Sequence, residues 1–426
     1  MTSQLRIIVT GLIAQHPSLG GVTWDYLQYV LGLARLGHDV YYFEDSGQWP
    51  YNLKGGPSVN DWIAYDPTPN VAYLARVMAR YGLEERWAYR FPIKPRWFGL
   101  PHKKRREVLE STDLLLNVSG TLKRPSDYRQ VQRLAYVDSD PAFTQVKLKL
   151  TRGQTKFRKR VNAHDVYFSF GERFSEAVPV TGHHWRATRQ PIVLSEWRPV
   201  MPARNVFTTV MNWTSYKPLR YGGHTYGQKD VEFKRFIELP RKVNPTVIEV
   251  ALSRTQHLNW QTDDWSLSPT VLPLVRNQAY WTPSHLLASM GWRVVDPLHV
   301  CPDFDRYREY IESSKAEWSV AKNGYVRGQS GWFSCRSACY LAAGRPVIVQ
   351  DTGFDAVLPV GEGILSFRTL EEAIAAIHEV ESHYMRHAKA ARALAEEYFD
   401  SGKVLTRLID EAMNTASYTR LAESRR

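Results

Sequence analysis

Cysteine is scarce in this sequence: 426 residues hold three, Cys301, Cys335 and Cys339. An odd, sparse set is no disulfide framework and suits a reducing compartment, so a cytoplasmic protein is expected. Cys335 and Cys339 stand four apart, one above the other on a helix. No further Cys or His pair sits nearby at ligand spacing, so packing rather than zinc is expected, and no metal is. Long apolar runs are missing too. None approaches the ~20 residues of a membrane helix. That excludes a bilayer span and leaves room for peripheral membrane contact. The opening "MTSQLRIIVTGLIAQHPSLGG" has one short apolar run, no basic leader and no small-residue cleavage site, so it reads as a first strand. Repeats at solenoid periods and low-complexity tracts are absent as well. Acid is short relative to base: 43 Asp and Glu against 55 Lys and Arg, a formal charge of +12 and a pI near 9.4. Such an excess favours anionic partners (nucleotides, sugar phosphates, nucleic acid or an acidic surface) without choosing among them.

What is present is an alternation of strands and helices. "LRIIVTG" predicts a strand. "GVTWDYLQYVLGLARLG" follows with apolar residues at helical spacing and Gly37 as its stop, and "HDVYYFE" predicts the next strand. This unit implies a right-handed parallel crossover. "DLLLNVS", "RLAYVD" and "DVYFSFG" add strands, while "WAYRFPIKPRWFGLPHKKRRE" reads as irregular structure and then a basic helix start. Prolines 191, 199 and 202 mark a linker. A second alternating set follows: "VFTTVMNW", "TVIEVAL", "WRVVDP" and "AEWSVAK" as strands, with helices between. The chain from "TLEEAIAAIHEV" onward is helical. The fold class expected is therefore α/β, with two Rossmann-like domains facing across a cleft and a helical C-terminal tail. The expected divisions are 1–195, 196–380 and 381–426. In such sheets ligands bind at the carboxyl ends of the strands.

Two loops that leave strands and open helices draw attention. In "TGLIAQHPSLGGVTW", Gly20 and Gly21 directly precede a helix, so backbone N–H groups could approach a phosphate, though tight turns also need glycine. His16 in that loop is a candidate general base. The second is "SGWFSCRSACYLAAGRPVIVQDTGF". Ser330 or Ser334 can cap its helix, Gly331 lets the backbone turn closely, and Gly344 ends the helix. Arg336 then lies at the first turn, where the helix dipole disfavours a cation. A bound anion facing Ser334 and Arg336 would cancel that penalty; the alternative is pairing with Asp351 or Asp355. The loop Asp351, Thr352 and Gly353 closes the same end. Lys217 and Lys229 follow the first strand of the second set, and Lys322 and Arg327 follow another, as a nucleotide diphosphate would need. Asp138 and Asp140, in "AYVDSDPAF", could orient sugar hydroxyls or act as base; an Asx turn before Pro141 is the alternative.

The run "LAAGRPVIVQDTGF", with "LPVGEGILSF" and "TLEEAIAAI" after it and the early Gly-Gly, resembles GT-B glycosyltransferases, especially the family 4-like group. The resemblance is most specific from Gly331 to Ile377; the first half matches in organisation. It implies a nucleotide-diphosphate sugar bound by the second domain, donor phosphates near Gly20 and Gly21, an acceptor against the first domain and a last helix crossing back to it. The family pattern has two glutamates, whose places fall on Gly331 and Cys339, so either ribose and sugar recognition differ or the chain is not catalytic. "SGWFS" faintly resembles the donor signature of family 1 enzymes, whose base is a histidine in the first strand–helix loop, as His16 is.

The expectation is a glycosyltransferase acting on a small-molecule, glycan or lipid-linked acceptor. Its donor is the nucleotide sugar, no separate cofactor is called for, and nucleic acid is not expected as a partner. His16 or Asp138 would take the acceptor's proton. The rivals are a nucleotide-sugar 2-epimerase, a non-catalytic binding protein on the same fold and, on the charge alone, a transferase acting on modified DNA.

Overall fold

The computed structural model describes residues 4–52, 63–150, 153–253 and 283–414. The first half runs β1 (Arg6–Thr10), α1 (Gly20–Arg35), β2 (Asp39–Glu44), α2 (Thr68–Ala79), β3 (Trp87–Phe91), β4 (Arg96–Gly99), α3 (His102–Glu110), β5 (Leu114–Val118), β6 (Arg133–Asp138), α4 (Phe143–Lys149), α5 (Thr155–Val161), β7 (Val166–Ser169) and β8 (Trp185–Ala187). These strands form one sheet in the order β4-β3-β2-β1-β5-β6-β7-β8. Its central strands are parallel and buried on both faces, so β5 reads as an apolar run rather than an alternation. The stretch expected to be irregular is instead the antiparallel hairpin β3–β4. Its prolines, Pro92 and Pro95, fall in the turn, where the ladder asks for no N–H.

After the proline-marked stretch come β9 (Phe207–Asn212), β10 (Leu219–Tyr221), β11 (His224–Tyr226), α6 (Lys229–Phe233), α7 (Leu239–Lys242), β12 (Ile248–Ser253), α8 (Pro283–Ser289), β13 (Arg293–Val295), α9 (Pro297–Val300) and α10 (Phe304–Ser313). Then follow β14 (Ala316–Ser319), α11 (Asn323–Gly328), α12 (Cys335–Ala342), β15 (Val347–Gln350), β16 (Ile364–Phe367) and α13 (Leu370–Ser382). A second, separate parallel sheet has the order β13-β12-β9-β14-β15-β16, and β10–β11 stand apart as a hairpin. Gly344, at φ +68°, ends α12 as its sequence predicts. Phe233, Phe236, Trp292, Trp318 and Phe367 pack one face of this sheet into an aromatic core.

The last helices, α14 (Tyr384–Tyr398) and α15 (Ser401–Met413), link the halves. α14 lies on α12, while α15 lies on α1, where Gly32 leaves room for Leu405 and Ser401. The crossing is pinned by Ile192, whose N–H donates to the Phe399 carbonyl at 2.7 Å and whose carbonyl accepts from Ser401 at 2.9 Å. α1 also meets α10 directly: the Trp24 indole, 1% exposed, donates to the Phe304 carbonyl at 2.8 Å. Enclosing that ring stabilises the contact by roughly 2–3 kcal/mol.

Candidate functional site

From β9 the chain passes outward through β12 to β13 on one side, and then crosses back to β14 on the other side of β9. This reversal opens a crevice at the carboxyl ends of β9 and β14, the usual place for a ligand in such sheets. After β9 the chain makes the β10–β11 hairpin and enters α6 at Lys229. After β14, Ser319 to Lys322 lead into α11. A small concavity there is lined by Ser319, Ala321, Trp332, Ser334, Arg336 and Ser337. Lys229, half-buried at the first position of α6, makes no hydrogen bond or ion pair with any described residue. Burial, then the nearby Arg336 charge, hold its ammonium well below the ordinary lysine range; Glu317 pulls the other way. The buried hydroxyls of Ser330 and Ser337 and the Gln228 amide nitrogen also lack partners. A cation and several polar groups are thus left open at one sheet edge.

Arg336 is used differently from the anion reading. Its Nε donates to Glu317 at 2.6 Å, Nη1 to the Val210 carbonyl at 2.7 Å and Nη2 to Ser319 Oγ at 2.6 Å. Glu317, on β14, is 0% exposed. Burial works against the guanidinium charge, and Glu317 together with Tyr307 and Tyr340 raises its pKa overall. The helix-dipole penalty is therefore answered by a protein carboxylate, and by neither Asp351 nor Asp355. Those two hold Arg368, at 3.0 and 2.9 Å. Asp351 also accepts from the Gly353 N–H at 2.9 Å, and the Thr352 hydroxyl donates to the Trp332 carbonyl. This loop braces itself, and Gly353, at φ +87°, lies on the Gln329 backbone.

Other expected ligands are likewise drawn into contacts between the halves. A Cβ on Gly20 would lie 2.4 Å from the Asp303 carbonyl oxygen and from Tyr307 Cβ, so this glycine is needed for packing α1 on α10. Gly21 faces the Tyr307 ring, which a Cβ there would meet at 3.2 Å, a tight contact but looser than at Gly20. Gly331 lies on the backbone of Arg173, which donates to the Ser330 carbonyl at 3.0 Å. Ser334 precedes α12 and lines the concavity, but its hydroxyl makes no capping bond. Lys322 pairs with Asp140 at 3.0 Å and stands over the Tyr216, Tyr325 and Phe143 rings. Arg327 is exposed and donates to His224 Nδ1 at 2.9 Å; Lys217 is exposed in the loop after β9.

On the opposing side, the loop after β1 carries His16. Its ring lies 4.6 Å from that of Tyr51, its Nε2 is 3.2 Å from the Gln15 amide, and its Nδ1 has no partner. Burial lowers its pKa to about 4, so the imidazole is neutral at pH 7. Glu44, at the end of β2, fixes this loop by accepting from the Ala14 and Gln15 N–H groups at 2.8 and 2.6 Å and from the Tyr42 hydroxyl at 2.7 Å. Burial still raises its carboxyl to about 7.

Asp138 cannot be the base expected of it. It is 1% exposed, and its oxygens are taken by Thr144 at 2.7 Å, Gln145 and Ser169 at 3.0 Å and the Asp140 N–H at 3.0 Å. Its function is the turn into α4. Asp140 instead faces the second half and accepts from Lys322, Tyr216 and Tyr325. Burial would raise its carboxyl, but Lys322 and Lys147 hold it below the ordinary range. Asp25, on α1, is close to Cys335 at the start of α12; burial raises it to about 7 against a Cys335 hydrogen bond and the Arg336 charge.

The residues missed by the sequence reading are Glu317, Glu44, Asp25 and the tyrosines that clamp Asp140. Only Glu317 carried a legible signal: an acid inside the apolar strand "AEWSV" must find a cation.

Two parallel sheets that turn their carboxyl ends towards one another, with a last helix returning to the first half, define the GT-B glycosyltransferase fold. Among solved structures, an alpha-glucosyltransferase in complex with UDP-glucose and DNA containing an abasic site superposes with a TM-score of 0.56 at 13% identity, over 97% of this chain and 100% of that one. HepE of Anabaena, in complex with UDP-glucose, gives 0.52 at 11%, over 96% and 99%. At such identities the likeness is one of fold. No family model matches the sequence, and no curated protein matches it either. Among the described residues, no helix is long and apolar enough to cross a membrane.

Proposed function

We propose that the protein is a glycosyltransferase that moves a sugar from a nucleotide-diphosphate sugar to an acceptor. Lys229 carries this reading: a half-buried cation without an anion, at the carboxyl edge of the second sheet, beside the concavity at the start of α12. A diphosphate placed there would meet Lys229 and the hydroxyls of Ser334 and Ser337. Arg336, with guanidinium protons beyond those given to Glu317, Val210 and Ser319, adds charge from the side. These groups would offset the negative charge that grows on the leaving diphosphate, an electrostatic task in which fixed donors act best. The donor is a substrate, and no separate cofactor is invoked.

His16 is the base in this proposal. It lies in the first strand–helix loop, at the carboxyl edge of the opposing sheet, and burial keeps it neutral and able to accept a proton. The acceptor would lie against residues 1–195, the donor against 196–380, and residues 381–426 would tie the two. The test is a panel of nucleotide sugars incubated with the protein, with and without cell extract, while nucleoside diphosphate release is followed. Release that depends on extract supports transfer to an acceptor. A changed sugar without release would replace the proposal with epimerisation.

A further inference from the structure

Two stretches of the sequence hold no acid at all. Residues 141–164 carry seven lysines and arginines, and residues 205–229 carry three, with no aspartate or glutamate in either. Though distant in the chain, they come together in the fold. The β10–β11 hairpin rests on α4, where Tyr216 meets Phe143 edge-on at 5.2 Å and the Lys147 ammonium stands 4.8 Å over the Tyr216 ring. Along this seam Lys149, Lys156, Lys159, Lys217 and Arg220 are exposed and Arg160 is half-buried. None of the six forms an ion pair with a described residue. Elsewhere some exposed cations are answered, Arg124 by Asp127, Arg306 by Glu309 and Lys403 by Glu397, and others, such as Lys94, Lys103 and Lys389, stand singly; what sets the seam apart is that six unanswered cations gather on one face with no acid in either stretch. The seam runs beside Asp140 and Lys322, at the mouth of the cleft.

We propose that this face binds the phosphodiester backbone of a nucleic acid. The sequence points away from such a partner because a net charge of +12 says nothing of placement; here placement carries the argument. Cations spread over two helices and a hairpin suit a row of phosphates, whereas a single anion needs cations that converge. Lysine predominates among the exposed ones, and its compact, mobile charge neutralises phosphates without reading bases. A bilayer fits less well. An interfacial helix inserts an apolar face, and the large exposed apolar residues, such as Trp49, Tyr65, Met201 and Met385, belong to neither α4, α5 nor the hairpin. The proposal stands whether or not the cleft transfers sugar.

The test is the anisotropy of a labelled short DNA duplex of arbitrary sequence, titrated with the whole protein over a range of salt. With five or six phosphates neutralised, log K should fall with log salt at a slope of roughly −5. K149E/K156E/K159E should weaken binding more than tenfold and flatten the slope by about 3. K94E/K103E/K389E changes the net charge equally at exposed positions outside the seam and should leave both nearly unchanged. UDP titration should not distinguish the two triples, so a failure of the nucleotide reading would show separately. Equal losses in both triples would overturn the proposal. So would absence of duplex binding at low salt, or capture on phosphatidylglycerol vesicles at salt that already releases the duplex.

Discussion

At Arg336 a guanidinium in the first turn of a helix meets Glu317, a carboxylate that no solvent reaches. Removing one member of a buried pair leaves the other uncompensated, which costs more than the pair contributes. Arg336→Ala should therefore lower stability by about 3–5 kcal/mol, read from urea denaturation. Arg336→Met with Glu317→Met should recover most of it, because both charges go. Asp25 gives a second test at this scale. Its folded carboxyl titrates near 7, above the unfolded value of 3.8. The stability it contributes is full below the unfolded value and is lost as pH rises through about 7. Asp25→Asn should melt progressively higher than the unaltered protein between pH 5 and pH 8, and a constant difference would contradict this origin. Neither pairing was legible beforehand. Glu317 lies 19 residues from Arg336 and Asp25 lies in another half, and a single sequence gives the charges without the contacts.

Among the elements, the strands and helices of the two parallel sheets were readable because burial on both faces leaves plain apolar runs. The β3–β4 hairpin was not: its prolines and arginines look like loop, but the prolines fall in the turn and β4, with exposed Arg96, is the edge strand. The Gly-Gly at the start of α1 has a packing use that the sequence did not disclose. The helix begins at Gly20, but the space a side chain would fill holds the Asp303 carbonyl and Tyr307. Propensity alone would make Gly20→Ala favourable by about 1 kcal/mol. The contact should reverse the sign, with a net loss of about 1–3 kcal/mol from overpacking against backbone. Gly21→Ala, facing a ring with more room, should cost far less. Thermal melts of the two variants check the contrast, and equal losses would show that α1 and α10 separate readily.

For the molecule as a whole, donor charge must be met where the second sheet's connections diverge. In the empty protein Lys229 is pushed towards neutrality by burial and Arg336. An arriving diphosphate would restore its charge, so binding should take up a proton and weaken as pH rises. His16, held neutral from the other sheet, should be needed for turnover and not for this binding. His16→Ala should lower turnover while diphosphate affinity stays, measured by release and titration assays in parallel. The most direct measurement is calorimetric titration of UDP, GDP and ADP, each with its nucleoside, into the protein and Lys229→Met, in buffers of different ionisation enthalpy. One diphosphate should bind with a buffer-dependent enthalpy that marks proton uptake. Lys229→Met should abolish that dependence and weaken the diphosphate by about 1.5–3 kcal/mol, leaving the nucleoside unchanged. No diphosphate binding, or equal losses for diphosphate and nucleoside, would contradict a donor site at Lys229.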